Sequence, residues 1–259
     1  MVAIEQIAAY NRAERFIGVA QLGGYNRIER GFVGVAQIGG HNRSEDSFTG
    51  IMQLGGLNVA HARFTGGLQL GLANGIGRYF YSDEHGGSER FAGIAQVGIV
   101  NSVGGGFHGV TQVGASSWTS GDFAGLAQIG AVGAAAGKFK GLAQVGLAAL
   151  SVRGSYGIQL GLVDVALGEH EGLQIGGGSY AKNIDGAQMG LVNLAGRLRG
   201  LQIGLVNHAD SLRGVQVGLV NHAEEGGLLP WTGLLNIGFD DADDDGSIAW
   251  AARPSRASR

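Results

Sequence analysis

Apolar and polar residues recur along this chain in a short unit bounded by glycine. The motif Gly34-Val-Ala-Gln37-Ile-Gly39 returns at intervals of 16 residues apart from one longer step, and the glutamines at its centre are Gln21, Gln37, Gln53, Gln69, Gln96, Gln112, Gln128 and Gln144. From Gly157 onward the unit shortens to 14 or 15 residues, with glutamines at Gln159, Gln174, Gln188, Gln202 and Gln216. Self-similarity at a fixed short period predicts a repeat architecture rather than a globular domain.

A second amide position follows most of these glutamines by five residues, as at Asn26, Asn42 and Asn207. In stacked parallel rungs, each Asn or Gln can hydrogen-bond to its equivalent about 4.8 Å away. The unit therefore predicts one turn of an all-β, tandem-repeat parallel β-solenoid with about fifteen short rungs. The atypical units at Gln6 and at Gly233-Leu-Leu-Asn236-Ile-Gly238 suit capping repeats.

Alternation in the 14-residue units assigns residues to two faces of a strand. Leu201, Ile203, Leu205, Asn207 and Ala209 are predicted to fill the coil. The intervening residues are predicted to form a flat outer interaction face of Gln188, Gly190, Gln202, Gly204, Gln216 and Gly218. Glycine within a strand needs a reason such as close approach, so we expect a partner or a second copy on this face; the alternative is that each glycine serves a tight bend or a positive φ, with no partner involved.

The 16-residue units are apolar on both sides of the strand. Around Gln37, Val35 lies on the glutamine's side while Ala36 and Ile38 lie on the other. Two explanations stay open at this point. Either a bulge at the extra residue turns Val35 inward, or the N-terminal half presents an apolar face to a partner, to another copy or to lipid.

Unit length divides the chain into three regions. Residues 1–156 hold the 16-residue units, residues 157–226 hold the 14- to 15-residue units, and residues 227–259 are predicted to form a C-terminal cap and a disordered tail. The step from Gly66 to Gly93 is 27 residues, which is 16 plus 11. It predicts an insertion near 78–90 that protrudes as a loop, since insertions at the corners of a solenoid interrupt no ladder.

An antiparallel outer-membrane β-barrel is the alternative fold, because each unit could supply one membrane-crossing strand. The chain would then function as an outer-membrane β-barrel or a pore-forming protein. Two observations argue against it. Every unit carries the same motif in the same direction, and with 3 Trp and 6 Tyr the chain is poor in the aromatic girdle residues of such barrels.

Composition limits the classes of function. The chain has 51 glycines and only 2 prolines, and its net charge of −3 offers no basic surface for nucleic acid. It has no cysteine, which excludes disulfides and thiolate chemistry. Met1 to Asn11 lacks the features of a signal peptide, and no apolar run is long enough for a transmembrane helix.

The run Gly200-Leu-Gln-Ile-Gly-Leu-Val-Asn-His-Ala209, repeated from Gly214 to Ala223, resembles the repeats of bacterial surface repeat-containing proteins first noted in Leptospira. The closing segment Leu228 to Phe239 is also similar to the ends of such arrays. The resemblance implies a cell-envelope or cell-surface location and brings no catalytic residues. Since the start of the chain lacks a signal peptide, a cytoplasmic location stays open.

Candidate chemical sites are few. His208 and His222 share one slot in consecutive units and are expected about 5 Å apart, but two imidazoles alone leave a metal site incomplete. Asp241, Asp243 and Asp245 match the start of a calcium loop, whereas Ala252 occupies the position of its bidentate carboxylate, so they are weak Ca²⁺ candidates within a solvated acidic turn.

No nucleophile or general base stands out, and we expect no cofactor. The sequence therefore predicts a non-enzymatic structural or interaction protein of the cell envelope. Its expected partner is itself or another envelope protein, or a membrane. Regular repeat faces suit such extended contacts better than they suit one concave catalytic pocket.

Overall fold

The structure, a computed structural model, describes residues 4–77 and 89–239. These residues form strands and no helix, and they wind into a parallel β-solenoid of about 13 turns. The predicted all-β solenoid is confirmed, although the expected number of about fifteen rungs is slightly too high. The alternative barrel is wrong, because strands of successive turns pair in parallel rather than in antiparallel register.

Each turn contains short strands separated by bends, which merge into longer strands where the bends are shallow. The strands within the described residues are β1 (Glu5–Ile7), β2 (Tyr10–Ala13), β3 (Phe16–Ile17), β4 (Ala20–Ile28), β5 (Gly31–Val33), β6 (Ala36–Ser44), β7 (Ser47–Ala60), β8 (Arg63–Ile76), β9 (Arg90–Ala92), β10 (Ala95–Val97), β11 (Val100–Val103), β12 (Gly106–His108), β13 (Thr111–Val113), β14 (Ser116–Thr119), β15 (Phe123–Ala124), β16 (Ala127–Ile129), β17 (Val132–Ala135), β18 (Lys138–Val145), β19 (Ala148–Ser151), β20 (Gly154–Ile203), β21 (Val206–Glu225) and β22 (Trp231–Gly238).

Strand register follows the sequence repeat. Gln37 pairs with Gln53 and Asn42 with Asn58, so each amide lies above its equivalent in the previous turn. Across the predicted insertion, Gln69 pairs with Gln96, which confirms that 11 residues are extra there. Arg90 already belongs to β9, while residues 78–88 lie outside the described residues, so the predicted loop itself stays a prediction.

Four columns of side chains fill the interior. The first is a stack of phenylalanines in the 16-residue units, with ring centroids 4.7 to 5.0 Å apart and no more than 1% exposure. Its members are Phe16, Phe32, Phe48, Phe64, Phe91, Phe107, Phe123 and Phe139. Ile184, Leu198 and Leu212 continue this column in the shorter units, and a column of small residues that includes Ala195, Ala209 and Ala223 lies beside it.

The other two columns are buried amides. Each glutamine Nε2 donates to the Oε1 of the glutamine one turn earlier, at 2.7 to 2.9 Å, in an unbroken series from Gln216 back to Gln6. The asparagines donate in the opposite direction, from Asn11 to Asn26 and onward to Asn101, and again from Asn193 to Asn221. Within each series an amide serves as donor to one neighbour and acceptor for the other, so most of these polar groups are buried without the cost of unpaired ones; the oxygens of Asn11 and Asn193, at the start of the two asparagine series, have no partner among the described residues.

The predicted outer interaction face is therefore wrong. Gln188, Gln202 and Gln216 have 0% exposure and lie inside the coil. Gly190, Gly204 and Gly218, the glycines two residues further on, face the asparagine column rather than a partner. A Cβ added at Gly204 would lie 2.5 Å from Asn193 Nδ2 and 2.9 Å from Asn207 Oδ1, so glycine is required here to leave room for the amide ladder.

The predicted alternation fails on one side of a bend. Ile203 and Leu205, predicted inside, are 36% and 50% exposed, whereas Asn207 and Ala209 are buried as predicted. Leu205 and Val206 both point outward, so the alternation of inward and outward residues is shifted by one residue at this bend. In the longer units Val35 is 43% exposed, so a bulge that turns it inward is also wrong.

The last unit closes the coil in an unexpected direction. β22 pairs with β21 in antiparallel register, with Asn236 opposite Gln216. Asn236 Nδ2 donates to Gln216 Oε1 at 3.3 Å and so ends the glutamine ladder. The segment is a cap, as predicted, but it is not a further parallel rung.

Candidate interaction face

The outward positions between the glutamine and the asparagine carry large apolar side chains in the C-terminal half. We define the apolar face by twelve of them, each 36% to 65% exposed. They are Leu160, Leu162, Val163, Met189, Leu191, Val192, Ile203, Leu205, Val206, Val217, Leu219 and Val220. Contiguous exposed apolar patches of this kind mark interaction sites, because single scattered residues do not line up in this way.

The solenoid orders these side chains into rows. Val192 pairs in register with Val206, and Ile203 with Val217, so equivalent residues recur at the rung spacing of about 4.8 Å. Gly177 and Gly178 interrupt the rows in one turn, and a Cβ added at Gly178 would meet no atom within 4 Å. The apolar face is therefore a set of parallel ridges with one shallow notch.

A related row extends along the N-terminal half. It lies just before the glutamines, and its members are 43% to 64% exposed. They are Val19, Val35, Ile51, Ile94, Val110, Leu126 and Leu142. The surface of the glutamine strands is thus bordered by apolar residues in both halves of the coil.

Charged side chains lie on a different side of the C-terminal half. Arg197 and Arg199 flank the buried Leu198, and Glu169 and Glu171 flank the buried His170. The apolar face contains no charged residue between Leu160 and Val163 or between Met189 and Val192. This segregation of charge from apolar surface favours an apolar contact with a partner.

A buried polar pair occupies the phenylalanine column where the unit length changes. Ser155 pairs in register with Phe139, and its Oγ lies 2.7 Å from His170 Nδ1. Burial lowers the pKa of His170 to about 4, so this imidazole is neutral at pH 7. The sequence did not single out either residue.

Ser155 borders a cleft of about 400 Å³ that is also lined by Lys138, Arg153 and Glu169, whereas His170 borders a separate cleft of about 180 Å³. A Ser–His nucleophile needs a third group that orients the imidazole. Within the described residues His170 Nε2 has no hydrogen-bond partner. We therefore interpret Ser155 and His170 as buried residues that fill the phenylalanine column, rather than as a catalytic dyad.

Asp164 occupies an asparagine position and is fully buried. Neither carboxylate oxygen hydrogen-bonds to another side chain among the described residues. Burial raises the pKa of Asp164 to about 7, although the backbone N–H of Gly161 acts in the opposite direction. This carboxyl group therefore stabilises the asparagine column less than an asparagine would at the same position.

The two predicted histidine neighbours do lie together. The rings of His208 and His222 stack with centroids 4.9 Å apart, which confirms the expected spacing of about 5 Å. Sequence reasoning missed the two carboxylates beside them, Asp210 and Glu224. Their signal was a shared slot three residues after the asparagines.

Asp241, Asp243 and Asp245 lie outside the described residues, so weak Ca²⁺ binding there stays a prediction. Across residues 4–77 and 89–239, no helix occurs that is long and apolar enough to span a membrane. Comparison of the chain with protein-family models, with curated proteins and with solved structures finds no match.

Proposed function

We propose that this chain is a non-enzymatic structural protein of the bacterial cell envelope that associates with a second copy of itself through the apolar face. The observation that carries the proposal is the uncharged set of exposed Leu, Val, Ile and Met rows between Leu160 and Val220. Water contact with these side chains is unfavourable by about 25 cal/mol for each Å² of apolar surface. Covering them is therefore the main free-energy gain that this surface offers.

A second copy suits the face better than an unrelated protein because the ridges have a fixed spacing. Two copies share that spacing, so their rows can interlock along the whole length of contact. A partner with another period would fall out of step after a few turns. Such a contact uses the same patch on both molecules, as in most two-fold symmetric dimers.

The envelope location rests on different support. The repeat from Gly200 to Ala209 resembles those of bacterial surface repeat-containing proteins, as described above. A solenoid also builds an elongated body by repeating one short unit, since each turn is stabilised by its neighbours. Both points favour a structural role at the surface over a catalytic one.

Sedimentation velocity over a range of protein concentrations tests the association. We expect the wild-type chain to form a dimer or larger species, and the double variant L205E/L219E to stay monomeric with an unchanged circular dichroism spectrum. Leu205 and Leu219 are 50% and 65% exposed, so the charges meet solvent in the monomer. Y156E is the matched control, because Tyr156 is 63% exposed but lies outside the apolar face.

Two results would contradict self-association. One is a wild-type chain that is monomeric at every concentration, and the other is L205E/L219E associating as the wild type does. Flotation with lipid vesicles by the monomeric wild type, lost in L205E/L219E, would assign the face to a membrane surface instead.

A further inference from the structure

A cluster of two histidines and two carboxylates lies on the last two parallel turns, beside Val206 and Val220 of the apolar face. We call it the His208 cluster, and its members are His208, Asp210, His222 and Glu224. His208 Nε2 lies 2.9 Å from Asp210 Oδ1. One ligand atom from each of His208, Asp210 and Glu224 lies within 4.8 Å of the other two.

We propose that this cluster binds a divalent transition-metal ion of the Zn²⁺ class. The donor set of one imidazole and two carboxylates leaves one position of a tetrahedral site for water. Zn–N and Zn–O distances of about 2.0 to 2.2 Å place ligand atoms about 3.3 Å apart around the ion. Because Asp210 is 61% exposed at its side chain, small rotations bring the donors to these distances.

The imidazole decides the class of metal. Carboxylates alone would suit Mg²⁺ or Ca²⁺, which prefer six or more oxygen ligands. A histidine nitrogen favours Zn²⁺, Cu²⁺ or Ni²⁺ instead. Asp210 and Glu224 also supply two negative charges, which balance those of the ion.

His222 orients the ligand histidine. Its Nδ1 lies 2.8 Å from His208 Nδ1, so one of the two nitrogens donates and the other accepts. When His208 Nε2 binds a metal, the remaining proton of a neutral His208 is on Nδ1, which then donates to His222 Nδ1. Hydrogen bonds of this kind fix the tautomer of metal-ligating histidines.

The cap holds this orienting residue in place. The ring of His222 stacks on that of Trp231 in β22, with centroids 4.0 Å apart. Asn221 pairs with Thr232 and His222 with Trp231 in the same antiparallel ladder. The metal site is therefore built from two turns and supported by the cap.

Isothermal titration calorimetry with ZnCl₂ tests the proposal on the full chain without an affinity tag. We expect one saturable site, with affinity reduced at least ten-fold in H208A and in the double variant D210N/E224Q. H108A is the control for nonspecific imidazole binding, because His108 is exposed and belongs to a turn remote in sequence. Circular dichroism of each variant checks that it remains folded.

H222F separates orientation from ligation. Phenylalanine keeps an aromatic ring next to Trp231 but removes the acceptor for His208 Nδ1. We expect about 10- to 100-fold weaker Zn²⁺ binding, the usual effect of losing such a partner. Co²⁺ in place of Zn²⁺ should give the strong visible absorption of tetrahedral coordination in the wild type and not in H208A.

Three results would overturn the proposal. They are a wild-type chain with no saturable Zn²⁺ site, an H208A variant that binds as the wild type does, and an H108A variant that loses binding to the same extent as H208A.

Discussion

Replacing Gln202 by leucine tests whether the amide ladder stabilises the coil. Gln202 Nε2 donates to Gln188 Oε1 at 2.7 Å and to the carbonyl of His208 at 3.1 Å. Its Oε1 accepts from Gln216 Nε2 at 2.8 Å. Leucine is similar in size, so the substitution removes these bonds and leaves little empty space.

The expected loss follows from the groups left behind. Gln188 Oε1 would have no donor, and Gln216 Nε2 would keep only its 3.1 Å bond to the carbonyl of His222. An unsatisfied buried polar group costs about 1–3 kcal/mol, so Q202L should reduce the free energy of unfolding by about 2–5 kcal/mol. I203Q is the matched control on the neighbouring outward position, and it should change stability by less than about 1 kcal/mol.

Urea denaturation monitored by circular dichroism compares the two variants. Intuition from hydropathy gives the reverse order, because it favours leucine over glutamine in a core. A Q202L variant as stable as the wild type, together with a strongly destabilised I203Q, would refute the buried ladder.

Three further predictions, made with four substitutions, concern other parts of the coil. Burial raises the pKa of Asp164 from 3.8 to about 7, so the folded state retains a proton that the unfolded chain releases. The free energy of unfolding should therefore fall by up to about 4 kcal/mol as pH rises from 4 to 7. D164N should abolish this dependence, which urea midpoints measured at pH 5 and pH 8 would show. G204A should lower the melting temperature because its Cβ meets Asn193, whereas G178A should not, and equal effects would contradict the packing. F107A should cost about 3–5 kcal/mol in urea unfolding, and a loss below about 1 kcal/mol would show that the stacked column is loose.

The repeat and its register could be predicted because an amide ladder imposes them. Gln37 can stack on Gln53 only if the chain advances by one repeat per turn, so spacing alone gives strand pairing. The same logic located the 11 extra residues between Gln69 and Gln96. The repeat alone was sufficient here, since the strand pairing that sets the register is between neighbouring turns.

The inside and outside of the coil could not be assigned from hydropathy. The rule that polar residues face solvent fails where each amide satisfies the next, as Gln202 and Gln188 do. Strict alternation also fails where Leu205 and Val206 both point outward at a bend. The predicted alternation of inward and outward residues is correct after that bend and inverted before it. Glycines such as Gly204 are predicted to keep an outer face flat, whereas they leave internal space for the asparagine side chains.

Two features were present in the sequence but were not recognised. Each phenylalanine of the stacked column precedes its glutamine by five residues, as Phe107 precedes Gln112, and this spacing marks a core column. The antiparallel direction of β22, in contrast, could not be read from the sequence. Asn236 keeps the motif position, and nothing in a motif distinguishes a parallel from an antiparallel neighbour.

The amide-bearing side of the strand is inside the coil and the apolar face is outside, where we propose that a second copy covers it. The chain has no cysteine, so single thiols can report on both sides. Maleimide labelling of native L205C and A209C measures them directly, since Leu205 is 50% exposed and Ala209 is 0% exposed. We expect L205C to react rapidly in dilute protein and more slowly as concentration rises, while A209C reacts only after unfolding. Rapid labelling of native A209C, with L205C protected even in dilute protein, would contradict the account.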